Sequence, residues 1–363
     1  MLALRLSLLF VLFVLFSAAT SLVSCTKHGA SAVVSTKTEH VALTLVRPLP
    51  ASVWVQHRID AHSRVVNIFL IHDNQPKPLV ILLQGSGCTP LFTVDEDGTF
   101  HGTSMFEDYV AQKSNDFHFA LLEKQGVEEL QFTAGMSFQQ KVAAFTETGN
   151  MQHCSPEYFI NETKNVRADD VMSLVQALNG ATWVKQIFIV GQSEGSEVVT
   201  GVLRRDSHSS VVKAAALLSS AGSNFFYGGY VSEGPNNRTT FQSAFNRIQL
   251  LQHASDDFMY EGHAERRWKS YTLDTTPLED VHESVAPLYV AHGGREPDIL
   301  NSDLFVLEAL RQQPTRPLRY VIVEGANHGW EGRDGRSHVS QILDDFLRWA
   351  QSSEHTTGVE VLQ

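Results

Sequence analysis

One segment in the middle of the chain limits the possible folds more than any other. An apolar run, Lys185–Val190, leads directly into Gly191-Gln192-Ser193-Glu194-Gly195, and a helical pattern follows from Ser196 to Arg205. This is a G-x-S-x-G pentapeptide between a strand and a helix, where a tight turn lifts the serine hydroxyl above a sheet and requires small flanking residues. The segment therefore predicts that Ser193 is an exposed nucleophile in front of a helix N-terminus.

Short apolar runs alternate with helical patterns along the rest of the chain. Most runs lack polar–apolar alternation, which is typical of strands buried on both faces of a parallel sheet. The first two runs come without a helix between them, which predicts an antiparallel edge. We predict an α/β fold with a mainly parallel central sheet flanked by helices. The runs are Val41–Val46, Val65–Ile71, Leu79–Leu83, Phe119–Leu122, Ile187–Val190, Ala214–Leu218, Leu288–Ala291 and Tyr320–Val323.

One region departs from this alternation. Residues from Phe225 to about Val285 are aromatic, polar and mostly helical in pattern, and we predict a helical cap inserted over one end of the sheet. A chain of 363 residues has room for two domains. The pattern favours one domain over residues 41–351 with the cap at about 225–285, followed by a C-terminal tail at 352–363.

A serine nucleophile needs a base that accepts its proton and an acid that orients the base. The last predicted strand, Arg319–Val323, runs into a glycine-flanked loop that contains Asn327-His328-Gly329. A histidine just beyond a strand and after the serine stands where the base of such a site is expected. His328 is therefore the predicted base, although the chain has 16 histidines.

A second glycine turn predicts an oxyanion hole. The apolar run Pro78–Leu83 ends in Gln84-Gly85-Ser86-Gly87-Cys88. Glycine there lets the backbone approach a substrate carbonyl. We expect the backbone N–H group of Ser86 or Gly87, together with that of Glu194, to hold the oxyanion of a tetrahedral intermediate.

These loops, in this order, resemble the α/β-hydrolase fold over residues 41–351. The turn at Gln84–Cys88 and the Asn327-His328-Gly329 loop are similar to those of the dienelactone-hydrolase and prolyl-oligopeptidase-like branch. In the loop after the strand Pro287–Ala291, the resemblance aligns Glu296 with the usual triad aspartate. Asp298, two residues on, stays open as the alternative acid. The chain departs from the pattern of this branch in two ways. It has glutamate in place of aspartate in the acid loop, and no β-propeller is recognisable before residue 41.

The start of the chain predicts export. A basic residue, an apolar stretch and small residues make residues 1–24 typical of a signal peptide. Leu22-Val23-Ser24-Cys25 resembles the bacterial lipobox, which implies that Cys25 is lipidated and anchors the protein in the cell envelope. Because Thr26 is not aspartate, the resemblance implies the outer membrane if the cell has one. Residues 25–40 are predicted to be a tether. The alternatives to a lipoprotein signal are a plain signal peptide with an incidental cysteine and an uncleaved anchor.

Two further cysteines, Cys88 and Cys154, remain after Cys25. In an exported protein they can form a disulfide, which would tie the oxyanion loop to the loop before the helix at Val166–Leu178. The alternative is two buried thiols. Three cysteines are too few for a four-cysteine zinc site, and no metal site or cofactor is expected.

These features predict a serine hydrolase that cleaves an acyl ester, with a peptidase or amidase on the same residues as the second possibility. A non-catalytic envelope lipoprotein that uses the scaffold for binding is the alternative of another class. The expected partners are a small-molecule or peptide acyl substrate, and a membrane through the N-terminal lipid. A net charge of −12 argues against nucleic-acid binding. The sequence does not indicate the oligomeric state.

Overall fold

A sheet of ten strands forms the centre of the molecule, with the order β1-β2-β3-β7-β4-β9-β10-β13-β14-β15. The structure is a computed structural model. It describes residues 42–362 apart from 51, 63, 133–135, 138, 142, 144–153, 208–209, 220–221, 223–224 and 233–237. The predicted signal peptide, Cys25 and the tether at 25–40 lie outside these residues. The strands are β1 (Leu43–Pro48), β2 (Val55–Ala61), β3 (Arg64–Ile71), β4 (Lys77–Leu83), β5 (Phe92–Val94), β6 (Phe100–Gly102), β7 (His118–Leu122), β8 (Leu130–Gln131), β9 (Val184–Gln192), β10 (Val212–Leu218), β11 (Met259–Tyr260), β12 (His263–Ala264), β13 (Leu288–Gly293), β14 (Leu318–Val323) and β15 (Gly358–Leu362).

In the spatial order of the sheet, the seven neighbouring strands β7-β4-β9-β10-β13-β14-β15 are parallel. The pairs β1–β2, β2–β3 and β3–β7 are antiparallel. The predicted α/β class, the mainly parallel sheet and its antiparallel edge are therefore confirmed. Because the parallel strands share one direction, the loops that follow β4, β9, β13 and β14 emerge at the same edge of the sheet.

Helices cover both faces of this sheet. Strand β4 shows why, since Leu79, Ile81 and Leu83 belong to one apolar core and Val80 and Leu82 to the other. Both faces of such a strand are buried, so neither is exposed to water. The helices are α1 (Glu107–Lys113), α2 (Pro156–Asn161), α3 (Lys164–Leu178), α4 (Glu194–Asp206), α5 (Phe225–Ser232), α6 (Arg238–Leu251), α7 (Glu265–Lys269), a π-helical turn (Ser270–Asp274), α8 (Pro277–His282), α9 (Ile299–Gln312) and α10 (Val339–Gln351).

The region predicted as a cap contains helices α5 to α8 and the short hairpin β11–β12. Local sequence explains where the last of these helices begins, because Thr276 and Glu279 form a reciprocal capping box and Pro277 occupies the first turn. None of the helices in the described ranges is both long enough and apolar enough to cross a membrane.

Two strands of the sheet do not appear among the predicted runs. Strand β2 alternates between buried and exposed residues. Strand β15 lies within residues 352–363, which the sequence predicts as a tail, and it pairs in parallel with β14. Its side chains are mostly exposed, so it carries no continuous apolar run. The sheet therefore extends past the predicted end of the domain at residue 351.

A disulfide joins Cys88, just after β4, to Cys154, just before α2, with 5.7 Å between their Cα atoms. The predicted bridge is therefore present. It links positions 66 residues apart, and cross-links over loops of this size restrict the unfolded chain strongly. We expect replacement of both cysteines by alanine to lower the free energy of unfolding by about 2–4 kcal/mol, measured by denaturant unfolding of the oxidised protein. A loss below about 0.5 kcal/mol would contradict this expectation.

Candidate active site

The turn from β9 to α4 holds Ser193 in a strained backbone conformation, with φ 54° and ψ −129°. The residues two positions before and after it, Gly191 and Gly195, must be glycine for steric reasons. A Cβ atom on Gly191 would lie 2.3 Å from the carbonyl oxygen of Gly195, and one on Gly195 would lie 2.5 Å from that of Leu83. Strain at a non-glycine residue persists only where the surrounding structure enforces it. The strand–turn–helix context predicted for Ser193 is therefore observed.

Hydrogen bonds to the neighbouring strand hold this turn in place. The N–H group of Ser193 donates to the carbonyl oxygen of Leu218 at 2.8 Å. The buried hydroxyl of Ser196 lies 2.8 Å from the carbonyl oxygen of Gly191 and also contacts Leu218. The position of Ser193 is thus fixed by β10 as well as by its own strand.

His328 connects Ser193 to a buried carboxylate. Its Nε2 atom lies 3.0 Å from the Ser193 hydroxyl oxygen, and its Nδ1 atom lies 2.8 Å from Oε2 of Glu296. The structure thus brings the predicted base and one of the two predicted acids into a single hydrogen-bonded line with the serine. The three side chains come from loops that follow β9, β13 and β14, at the same edge of the sheet.

The other oxygen of Glu296 is held by groups that orient the carboxylate. Oε1 accepts hydrogen bonds from the hydroxyl of Ser219 at 2.9 Å and from the N–H group of Gly293 at 2.8 Å. The hydroxyl oxygen of Ser219, directly after β10, also lies 3.2 Å from the carbonyl oxygen of His328. No motif in the sequence marks Ser219, and only its place at the end of a strand near the site indicates this contact.

Opposing effects set the protonation of this pair. Burial raises the pKa of Glu296, but the hydrogen bond from His328 and the nearby charge of His292 outweigh it, so its pKa lies below the ordinary value. The hydrogen bond to Glu296 raises the pKa of His328, against the opposing effect of burial. Glu296 therefore stays ionised near neutral pH, and the histidine binds a proton more readily than a free imidazole does.

Asp298, the alternative acid of the sequence analysis, lies on another side of Glu296. Its Oδ1 atom is 3.7 Å from Nε2 of the buried His292, whose Nδ1 is 3.3 Å from Glu296 Oε1. Asp298 immediately precedes α9, and its side chain is about one-third exposed. Among the described residues, these three form a group whose ligand-type atoms lie within 4.8 Å of one another. Because Glu296 belongs to the group, a cation bound there would compete with His328.

The predicted oxyanion loop passes directly beside the nucleophile. A Cβ atom on Gly85 would lie 2.9 Å from Cβ of Ser193, so glycine permits this close approach. Ser86 and Gly87 follow in the same loop, and Gly87 has a left-handed backbone with φ 85°. Glu194 begins α4, next to Ser193. The structure therefore brings the predicted donor segments together around the serine.

Charged side chains that the sequence analysis did not identify surround these donor segments. Glu194 is buried, and its carboxylate accepts hydrogen bonds from Arg167 of α3 at 2.5 Å and from Nε of Arg267 of α7 at 2.9 Å. Burial opposes ionisation of Glu194, but the two guanidinium groups prevail and lower its pKa to about 2. Burial, together with the charge of Arg167, lowers the pKa of Lys124 to about 7.

No family model and no curated protein sequence matches the chain. Solved structures do match its fold. Est1E from Butyrivibrio proteoclasticus, also solved with ferulic acid bound, is 13% identical with a TM-score of 0.51, and the match covers 81% of this chain and 98% of Est1E. A puromycin-hydrolysing peptidase of Mycobacterium tuberculosis is 16% identical with a TM-score of 0.53, and the match covers 85% of this chain and 41% of the peptidase.

A third similar structure is the acylaminoacyl peptidase of Pyrococcus horikoshii, with 13% identity and a TM-score of 0.52. The match covers 85% of this chain and 43% of that one, so the chain spans about two-fifths of the length of each peptidase. At these identities the likeness shows the fold alone. The topology of the sheet, the nucleophile turn and the similar structures agree that the chain has the α/β-hydrolase fold.

Proposed function

We propose that this protein is a serine hydrolase that cleaves acyl esters. Ser193 attacks the acyl carbonyl while His328 takes the hydroxyl proton, and Glu296 orients the imidazole and stabilises its charged form. His328 then returns the proton to the leaving alcohol. Water hydrolyses the acyl-enzyme by the same steps, with His328 again as base. The observation that carries the proposal is the line of contacts of 3.0 Å and 2.8 Å from Ser193 through His328 to Glu296.

The negative charge that develops on the carbonyl oxygen requires donors beside Ser193. We assign this role to the backbone N–H group of Glu194 and to that of Ser86 or Gly87. The place of Glu194 at the start of α4 and the close approach of Gly85 to Ser193 support this assignment. All these donors are backbone groups, so the side chains of Ser86 and Glu194 have no direct part in binding the oxyanion.

An ester is the first choice of substrate, and an amide or peptide is the second. Both an esterase and peptidases occur among the similar structures.

A fluorophosphonate probe tests the catalytic proposal, since it labels only an activated serine. We expect wild-type protein to be labelled at Ser193, as located by peptide mass spectrometry. A series of esters of increasing acyl length, run beside aminoacyl amides, then separates esterase from peptidase by kcat/KM. Folded wild-type protein that is neither labelled nor active on either series would favour the binding-protein alternative.

The pH dependence of hydrolysis follows from the state of His328. The imidazole must be neutral to accept the proton of Ser193, and its pKa is raised above the ordinary 6.5. We therefore expect kcat/KM to fall as the pH is lowered through a midpoint above 6.5, measured from pH 4 to 9 with one neutral ester. A midpoint below 6 would contradict the contact with Glu296, because loss of that contact removes the cause of the raised pKa.

We further propose that the protein is exported and anchored in a bacterial cell envelope through lipidated Cys25, in the outer membrane where the cell has one. The likeness of Leu22–Cys25 to a lipobox supports this localisation. We expect Cys25→Ser to move the protein from the membrane fraction to the soluble fraction, as followed by immunoblotting of fractionated cells. Cys88→Ser is the matched control and should leave the partition unchanged. Membrane association that survives Cys25→Ser would refute lipid anchoring there.

A further inference from the structure

Two buried basic side chains contact the predicted oxyanion loop through its carbonyl oxygens. The side-chain amino group of Lys124, which follows β7, donates hydrogen bonds to the carbonyl oxygens of both Gly85 and Gly87. Arg167 of α3 donates from Nη2 to the carbonyl oxygen of Gln84 at 2.7 Å. Lys124 is 8% exposed, and the side chain of Arg167 is 10% exposed. Water therefore screens these contacts poorly.

Because the peptide bond is planar, these contacts with carbonyl oxygens also affect the direction of the N–H groups in the same peptides. The structure has no cis peptide bonds among its described residues. In a trans peptide the carbonyl and the N–H group point in opposite directions within one plane. The hydrogen bond from Lys124 to the oxygen of Gly85 therefore directs the N–H group of Ser86 away from Lys124. It also polarises that peptide, which strengthens the N–H group as a donor. Arg167 has the same effect on the N–H group of Gly85.

Arg167 also reaches the other half of the oxyanion site. While Nη2 binds the carbonyl oxygen of Gln84, Nη1 donates to Oε1 of Glu194 at 2.5 Å. One planar guanidinium group thus joins the loop after β4 to the residue after the nucleophile. Its fork has a rigid geometry that an ammonium group lacks. This side chain therefore links the two donor segments directly, in addition to the pairing of β4 with β9.

We propose that Arg167 and Lys124 are positioning residues: Arg167 links the two donor segments, and Lys124 orients and polarises the peptide group that carries the Ser86 N–H. This inference rests on the proposed function. Neither side chain needs to touch the substrate, since each acts through the backbone carbonyl side of the loop. The arrangement favours Ser86 over Gly87 as the donor, because the carbonyl oxygen paired with the Ser86 N–H group belongs to Gly85 and is bound by Lys124.

The test compares Lys124→Met with Lys164→Met. Lys164 is the matched control because its ammonium is also buried but binds Thr275 and Asp280, away from the oxyanion loop. Each protein is assayed below its Tm for kcat and KM on one ester and for the inhibition constant of a trifluoromethyl ketone. That inhibitor adds to the serine, and its carbonyl oxygen then becomes an oxyanion that needs the same donors.

We expect Lys124→Met to lower kcat about 10- to 100-fold with KM within about threefold, since misplacing an oxyanion donor costs this much. Inhibitor binding should weaken by the same factor as kcat. Lys164→Met should lower Tm without this paired loss. A folded Lys124→Met protein with unchanged kcat, or with lower kcat and undiminished inhibitor binding, would overturn the inference.

A second variant decides the question if Lys124→Met does not fold. Arg167→Lys keeps the buried charge but cannot bind Gln84 and Glu194 in fork geometry. We expect a loss of about 5- to 20-fold in both kcat and inhibitor affinity, and equal values to wild type would overturn the inference. If wild-type protein itself is inactive and unlabelled by a fluorophosphonate, the proposed function fails, which is a distinct result.

Discussion

Ser193→Ala is expected to lower kcat for ester hydrolysis by about 10⁵- to 10⁶-fold, the largest effect of any single substitution in this chain. Alanine has no hydroxyl, so the acyl-enzyme cannot form and the route through two easier steps is lost. A residual rate above that in water, about 10³-fold, should persist because the oxyanion donors and the binding surfaces remain. Steady-state kinetics with a chromogenic ester measures both quantities.

Controls for this variant come from the same chain. Ser173→Ala removes another buried hydroxyl, one that donates to the carbonyl oxygen of Asp169 within α3, and it should keep wild-type kcat. His328→Ala should cost nearly as much as Ser193→Ala, and the double variant should cost no more than either, since the two residues act as a unit. If Ser193→Ala retains more than a tenth of the wild-type kcat, another nucleophile performs the reaction.

The positions of Ser193 and His328 could be predicted because local sequence determines them. Each lies in a glycine-flanked loop after a continuous apolar strand, and parallel strands bring such loops to one edge of the sheet. The turn at Ser193 is also under a strict steric requirement that glycine at 191 and 195 satisfies. Steric limits and strand patterns both act over a few residues, so they leave a clear trace in the sequence.

No local sequence pattern indicates the residues that support the site. Ser219 contacts Glu296 across 77 positions, and Lys124 contacts Gly87 across 37. These are contacts of single polar side chains with partners far along the chain, and neither periodicity nor a local motif encodes them. Strand β15 was missed for a related reason, because an exposed edge strand needs no apolar run.

The sequence alone could not decide whether Glu296 or Asp298 is the acid that orients His328, because the answer depends on the conformation of the loop after β13. Sequence placed both carboxylates just after β13, and a shift of two residues lies within the uncertainty of any loop alignment. The structure separates them by hydrogen bonding. Glu296 is buried, with its two oxygens held by Ser219, Gly293 and His328, whereas Asp298 immediately precedes α9, beside His292.

Glu296→Gln is expected to lower kcat by about 10³- to 10⁴-fold. The amide nearly preserves the shape of the side chain but removes the negative charge that stabilises the imidazolium. It also offers an N–H group where His328 Nδ1 needs an acceptor, which favours the wrong tautomer. The pKa of His328 should fall as well, because the hydrogen bond that raises it is lost. The midpoint of the acidic limb of kcat/KM should therefore shift to lower pH.

Asp298→Asn is the matched control, since it makes the same change of carboxylate to amide two residues away. It should reduce kcat by no more than about fivefold, because Asp298 influences His328 only through its charge. Its acidic limb should move only slightly toward lower pH, in the direction set by the loss of one negative charge. A larger loss from Asp298→Asn than from Glu296→Gln would make Asp298 the acid of the working enzyme. Small and equal losses from both would mean that neither carboxylate orients His328 during turnover, and the base would then act without an acid partner from this loop.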